Sequence, residues 1–203
     1  MDEARLLAAI MARASGRDRL IVGIAGAPGS GKSTLAERLR ERIEASGECV
    51  AIIPMDGFHF DDRVLTARGL LPRKGAPETF DVAGFRHLLM RLRAREAEVA
   101  IPVFDRSIEI SRAGAAIVPA ETRILLVEGN YLLLDETPWS GLAGAFDMTV
   151  WLDVPVDELE RRLVQRWLDH GFATDMAREK ALSNDIPNAR RTAVHSRAAD
   201  VTL

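Results

Sequence analysis

Cysteine is nearly missing: Cys49 is the only one in 203 residues. No internal disulfide can form, and metal sites built on two thiolates are excluded. Cys49 follows Glu48 where an apolar run begins, so it is expected to be a buried, inert thiol. Long apolar runs are missing as well, and none approaches the ~18 residues of a membrane span. The chain opens Met1-Asp2-Glu3, without the basic stretch and apolar core of a signal peptide, so a cytoplasmic location is the expectation. Charge of one sign is not in excess. A net charge of −3 and a pI of about 5.9 argue against a broad nucleic-acid-binding face. Lysine is scarce: of 27 basic residues only Lys32, Lys74 and Lys180 are lysines. There is no internal repeat, no low-complexity tract and no linker long enough to divide residues 1–203 into two domains.

One of the three lysines stands in Gly26-Ala27-Pro28-Gly29-Ser30-Gly31-Lys32-Ser33, followed by Thr34. The stretch fits G-x-x-x-x-G-K-[ST], the phosphate-binding P-loop. At this composition the pattern arises by chance in roughly one chain in a thousand. An apolar strand-like run, residues 20–25, precedes it and a helical pattern from Thr34 follows, as the motif requires. Glycines allow the tight bend, successive backbone N–H groups turn inward, and the helix N-terminus adds partial positive charge. Lys32 is expected to reach the β/γ-phosphates and Ser33 to meet a magnesium ion.

Along the chain, residues 3–14 have the spacing of an amphipathic helix, and the helix after the P-loop should stop at Ser46-Gly47. Residues 50–56 form a second apolar run. Residues 63–77, rich in Gly, Pro and basic side chains, read as a surface loop with one helical turn, and 82–94 as a helix. Residues 98–105 and 106–118 suggest a hairpin outside the main sheet. Strands are expected at 123–128, 148–153 and 199–203. Helices are expected from Pro155 to His170, over 173–182 and over 189–197, with Asn184–Asn188 as a break. Apolar strands alternating with helices indicate an α/β fold: a three-layer, doubly wound parallel sheet.

Three apolar runs end in an acid: Asp56, Glu128 and Asp153. In open α/β sheets ligands bind outside the carboxyl ends of strands, so Asp56 and Glu128 should face the P-loop if their strands neighbour the first. Asp56 is the candidate base for an acceptor hydroxyl, with Phe58 and His59 beside it; the alternative is a turn-forming Asp before Gly57. Glu128 suits the metal or the acceptor, or else caps the turn before Gly129. Asp153 is assigned to the start of a helix. Arg162 and Arg166 share a helix face, as phosphate forks or as a solvated basic face.

With Met55-Asp56-Gly57-Phe58-His59, Arg73-Lys74-Gly75-Ala76-Pro77-Glu78-Thr79-Phe80-Asp81, Pro102-Val103-Phe104-Asp105-Arg106 and Val127-Glu128-Gly129-Asn130-Tyr131 added to the P-loop, the chain resembles the uridine kinase, phosphoribulokinase and pantothenate kinase group of P-loop kinases. Asn184-Asp185 and Asn188 also fit, and bacterial proteins labelled fructose transport system kinases look most alike. The resemblance implies a nucleoside-kinase-like P-loop fold with a helical lid at about 155–185, and ATP with Mg2+ as cofactors. It implies Asp56 as the acceptor-activating carboxylate and lid arginines at Arg162 or Arg166. Arg73, Lys74, Asp105 and Arg106 would line the acceptor side, with His59, Glu128 and Tyr131 added as acceptor contacts.

The leading function is ATP-dependent transfer to a small hydroxylated acceptor, a sugar or polyol ahead of a nucleoside or pantothenate. A P-loop switch regulating transport is the reading from another class. A guanine-reading N-K-x-D and an L-S-G-G-Q-like signature are both absent. The acids and basic pairs between Asp56 and Glu109 suit a polyol. Phe58, Phe60, Phe104 and Tyr131 could instead stack on a nucleobase, but they adjoin apolar strand ends, where core packing is the favoured reading. Nothing in the sequence specifies an oligomeric state.

Overall fold

The computed structural model describes Met1 to Leu203. Its strands are β1 Leu20–Gly26, β2 Val50–Pro54, β3 Glu98–Asp105, β4 Ile110–Pro119, β5 Ile124–Gly129, β6 Met148–Leu152 and β7 Val201–Thr202. Its helices are α1 Glu3–Ala14, α2 Lys32–Ala45, α3 Asp62–Ala67, α4 Val82–Arg93, α5 Val156–Asp169, α6 Thr174–Lys180 and α7 Ile186–His195. Five strands form a parallel sheet in the order β2–β5–β1–β6–β7, and β3 and β4 form a separate antiparallel pair. The sheet is the three-layer arrangement expected, and the hairpin stands outside it as expected.

Period-2 alternation on β1 divides the core. Leu20, Val22 and Ile24 pack with Leu6 and Ile10 of α1 and Leu35, Leu39 and Ile43 of α2. Ile21 and Ala25 point the other way, toward Phe85, Leu88 and Leu89 of α4 and the Tyr131–Leu134 turn. Every residue of β1 is buried, and each fully buried aliphatic side chain contributes roughly 1.5–3 kcal/mol. The central strand is therefore a firm base for the loop at its carboxyl end. Helix starts are fixed locally: Asp2, Asp61 and Asp81 accept bonds from the N–H groups of Arg5, Arg63 and Gly84, a cap worth about 1 kcal/mol each.

Three expectations are corrected. Cys49 is exposed, not buried. Its carbonyl takes the N–H groups of Arg123 and Ile124 at the lip of the sheet, so the backbone joins the ladder before the side chains turn inward. Residues 184–188 do not break the helical run. α6 passes through a π-turn, Ala181–Asp185, directly into α7. Pro187 in the first turn of α7 cannot donate an N–H and crowds the preceding turn; a widened turn accommodates it without ending the helix. The last strand shrinks to Val201–Thr202, pairing only with Val150 and Trp151 at the sheet edge.

Candidate active site

The carboxyl ends of β1, β2 and β5 open on a cleft of about 880 Å³, within the size range of ligand pockets. At its floor the chain leaves β1 and enters α2 at Lys32. Gly29 and Gly31 hold φ of +78° and +95°, left-handed values that glycine takes without a Cβ penalty. Gly31 offers α2 no side-chain cap, so its first N–H groups remain free for an anion. Pro28, Gly29, Gly31, Lys32, Ser33 and Thr34 line the cleft. Gly26, Ala27 and Ser30 lie behind them as support. Ala27 packs on Leu159 and Leu163 of α5, and its carbonyl accepts from Ser30 N at 3.1 Å.

Lys32 is 6% exposed. Its Nζ donates to the Ala27 carbonyl at 3.0 Å and lies 3.5 Å from Ser30 Oγ. Burial pushes its ammonium down to about 8, against the pull of Glu128 and Asp56. Glu128, next to last in β5, pairs in register with Ile24 of β1. Its Oε2 accepts from Ser33 Oγ at 3.2 Å, and burial raises its carboxyl above the usual range. β2 is one strand farther from β1 than the sequence condition required. The 3-10 turn Met55–Phe58 nevertheless carries Asp56 into the same cleft. There Asp56 Oδ2 accepts from Arg106 Nη2 at 2.6 Å.

No three acid, His or Cys side chains gather into a metal-binding group. A hydroxyl from Ser33 and the Glu128 carboxylate, opposite a phosphate loop, fit magnesium, which keeps several waters and takes phosphate oxygens.

Beyond Asp56, His59 Nδ1 lies 2.8 Å from the Asp56 carbonyl. Its ring sits 4.0 Å from Phe80 and 4.6 Å from Phe104. Burial lowers the His59 pKa, favouring the neutral ring. Lys74 Nζ donates to Asp62 Oδ1 and the Glu109 carbonyl, each at 2.7 Å. The β3–β4 hairpin closes over this wall because Gly57 lets the chain approach Pro102; a Cβ there would run into the Pro102 carbonyl.

His59, Lys74, Arg106 and Glu128 thus meet in one cleft. Arg73, Asp105 and Tyr131 do not reach it. Arg73 Nε turns out to Glu78 at 2.9 Å. Asp105 is held by Ser107 Oγ at 2.6 Å and faces Arg112. Tyr131 is 0% exposed among Phe80 and Trp139, and its hydroxyl donates to the Gly75 carbonyl at 2.6 Å. Core packing holds for Phe58 against Phe85 and for Tyr131, whereas Phe60 packs under Arg68. Phe104 and Phe80 instead help form the cleft wall. Asp153 is exposed and does not line it.

Arg162 and Arg166 both border the cleft. Arg162 Nη1 reaches the Gly29 and Ser30 carbonyls at 3.4 and 3.3 Å while Nε pairs with Glu158 at 2.6 Å. Arg166 Nη2 lies 3.4 Å from Asp185 Oδ2. Trp167, His170, Phe172 and Lys180 also line the cleft and were missed in the sequence. The Trp167 and Phe172 rings meet edge to face at 5.4 Å, and Lys180 Nζ stands 4.9 Å from each. Their only local signal was aromatic residues and cations near the end of α5 and along the link into α6. Cations and free N–H groups at one end, carboxylates in the middle and a polar–aromatic wall at the other can hold a polyphosphate facing a hydroxyl.

Residues 1–59, which include the P-loop, match a family model described as methylmalonyl Co-A mutase-associated GTPase MeaB. A solved structure from Silicibacter sp. TM1040, described as a "putative fructose transport system kinase", is 47% identical, with a TM-score of 0.95 over 100% of this chain and 99% of that one. A Schizosaccharomyces pombe protein described as "Putative uridine kinase C227.14" is 36% identical over 184 residues, 85% of this chain and 77% of its own length. The pantothenate kinase of Streptomyces coelicolor is 33% identical over 155 residues; the match spans 72% of this chain but 47% of that enzyme. With the P-loop, the flanking acids and the parallel sheet on which they sit, these similarities make the chain a member of the uridine kinase, phosphoribulokinase and pantothenate kinase family of P-loop kinases.

Proposed function

We propose that this kinase moves the γ-phosphoryl group of ATP to a hydroxyl of a small metabolite, with a sugar or related polyol as the leading acceptor. The observation that carries this reading is one cleft with Lys32 and the P-loop at one end, Asp56 between, and His59, Lys74 and Arg106 at the other. Asp56 accepts the proton of the acceptor hydroxyl as its oxygen bonds to the γ-phosphorus and the bond to the β-phosphate oxygen breaks, releasing ADP. Arg106, now on Asp56, must share that carboxylate with the hydroxyl. Lys32 and the forks of Arg162 and Arg166 meet charge on the transferring group. Ser33 and Glu128 would hold magnesium, which when bound offsets phosphate charge. The helical stretch at about 155–185 acts as a lid that keeps water from the phosphates.

Polyol recognition is supported by how the cations are occupied. Lys74 is paired with Asp62 and also donates to the Glu109 carbonyl, and Arg106 is paired with Asp56. The acceptor therefore meets paired donors and acceptors, which suit hydroxyl groups and reject analogues lacking one. The similar Silicibacter protein, described as a fructose transport system kinase, points the same way. A nucleoside is the second reading, favoured by Phe80 and Phe104 on the wall beside His59. The test is ADP release from ATP with Mg2+ against sugars, nucleosides and pantothenate. Acceptor-dependent release with a sugar or polyol is expected. Turnover with uridine or cytidine and none with any sugar reverses the order. Hydrolysis indifferent to every acceptor moves the protein to the switch reading.

A further inference from the structure

The π-turn Ala181–Asp185 ends in two adjacent polar residues that face opposite halves of the cleft. Asn184 Nδ2 donates to the Lys74 carbonyl at 2.9 Å, in the loop whose Lys74 side chain borders the acceptor end. Its Oδ1 accepts from Asn188 Nδ2 at 3.2 Å, and Asn188 is 3% exposed. Asp185 Oδ2, one residue on, accepts from Trp167 Nε1 at 2.8 Å and pairs with Arg166 at 3.4 Å. In an α-helix neighbouring side chains stand about 100° apart. Here the widened turn lets one reach the acceptor loop while the next reaches the phosphate-side arginine. Asp185 is 9% exposed, so its bonds are not readily replaced by water.

We infer that Asn184 is a positioning residue that ties the order of the acceptor loop to the seating of Arg166 on bound nucleotide. The inference rests on the kinase reading above. Nucleotide that draws in Arg166 fixes Asp185, and Asn184, on the same turn, then fixes the Lys74 carbonyl. The backbone N–H groups of the loop it holds make only short local bonds: Lys74 N to the Leu71 carbonyl, Gly75 N to Thr79 Oγ1, Ala76 N to the Arg73 carbonyl. Its longer ties are the Tyr131 hydroxyl on the Gly75 carbonyl and the Lys74 ammonium on Asp62 and the Glu109 carbonyl. The coupling is reciprocal, so an acceptor that orders this loop strengthens nucleotide binding by the same factor.

Hydrogen exchange at amides 74–76, with and without AMP-PNP and Mg2+, tests this in the intact chain without any acceptor. Wild-type protein is expected to show about tenfold slower exchange there when AMP-PNP is bound, a usual size for coupling between sites. Asn184→Asp keeps the bond from Asn188 but has no donor for the Lys74 carbonyl. It should reduce the nucleotide-dependent protection to less than about twofold while AMP-PNP affinity changes little. Asn184→Ala should behave likewise, which guards against a charge artefact. A purely structural role would speed exchange by the same factor with and without nucleotide, and that result overturns the inference. Calorimetric binding of AMP-PNP with no protection at 74–76 in wild-type protein overturns it and leaves the kinase reading standing. No AMP-PNP binding at all removes both.

Discussion

The two ends of the cleft are built differently. The phosphate end is one unbroken stretch, Gly26 to Thr34, rooted in a strand buried along its whole length and flanked by β5 and β6. The acceptor end is assembled from a 3-10 turn, a loop and a hairpin set off from the main sheet, and most of β4 is exposed. Backbone N–H groups and one buried lysine serve the first. On the proposed reading, side chains held by one another serve the second: Arg106 by Asp56, Lys74 by Asp62. Polyphosphate is common to all kinases, so its cradle can be rigid. On the proposed reading, selectivity resides in side chains on loops, where substitutions cost little stability.

The largest effect should come from the rigid end. Lys32→Ala is expected to lower turnover by about 10³-fold, as for loss of a preorganised charge donor, with an unchanged fold by circular dichroism. Normal turnover in the folded variant would remove the P-loop from the mechanism. Asp56→Asn should follow at about 10²-fold, the scale of a lost general base. Nucleotide affinity should hold, because the amide keeps size but accepts no proton. If affinity falls instead, with transfer per bound complex intact, Asp56 belongs with the phosphates and the division between the ends is misplaced.

The same division governs what the sequence reveals. The P-loop is contiguous, so its geometry follows from spacing. β1 and β5 are buried on both faces and read as plain apolar runs. Asp56 and Glu128 stand at strand ends, where topology sends them to one side of the sheet. Tyr131 carries the same kind of signal, an aromatic just past a strand, yet it lies in the core, because its depth is set by Phe80 and Trp139 from distant segments. Arg73 and Asp105 adjoin true cleft residues and turn away toward Glu78, Ser107 and Arg112. On an irregular loop no periodicity tells which neighbour faces inward. The π-turn was illegible for a related reason: Asn, Asp and Pro together signal a break, and only packing of Ala181, Ile186 and Ala189 on α5 keeps the helix running.

A third prediction, smaller, separates the ends by pH. Burial holds Lys32 at about 8, below its ordinary value, and a bound polyphosphate raises it. Below that pH the ammonium is charged and affinity is full. Above it the free protein must take up a proton to bind, so affinity should fall by about tenfold per pH unit until the bound-state value is passed. Calorimetry with AMP-PNP and Mg2+ across this range measures it, together with the proton uptake. Affinity that stays level well above pH 8 would show that Lys32 is not the titrating contact.

The smallest effect tests the boundary between the acceptor wall and its scaffold. Tyr131 donates to the Gly75 carbonyl from a fully buried position, and Gly75 follows the acceptor-side Lys74. Tyr131→Phe keeps the ring against Phe80 and Trp139 and removes only the hydroxyl. The Gly75 carbonyl then loses its donor, at a cost of about 1–2 kcal/mol, or roughly 2–8 °C in melting temperature for a domain of this size. Turnover at saturating acceptor should stay within about twofold, since a scaffold residue makes no bond peculiar to the transition state. The acceptor KM should rise modestly as the 71–76 loop loosens. A variant that melts like wild type but loses more than about tenfold in kcat would put the Tyr131 hydroxyl in contact with the reacting groups. The acceptor end would then extend deeper into the core than its lining side chains indicate.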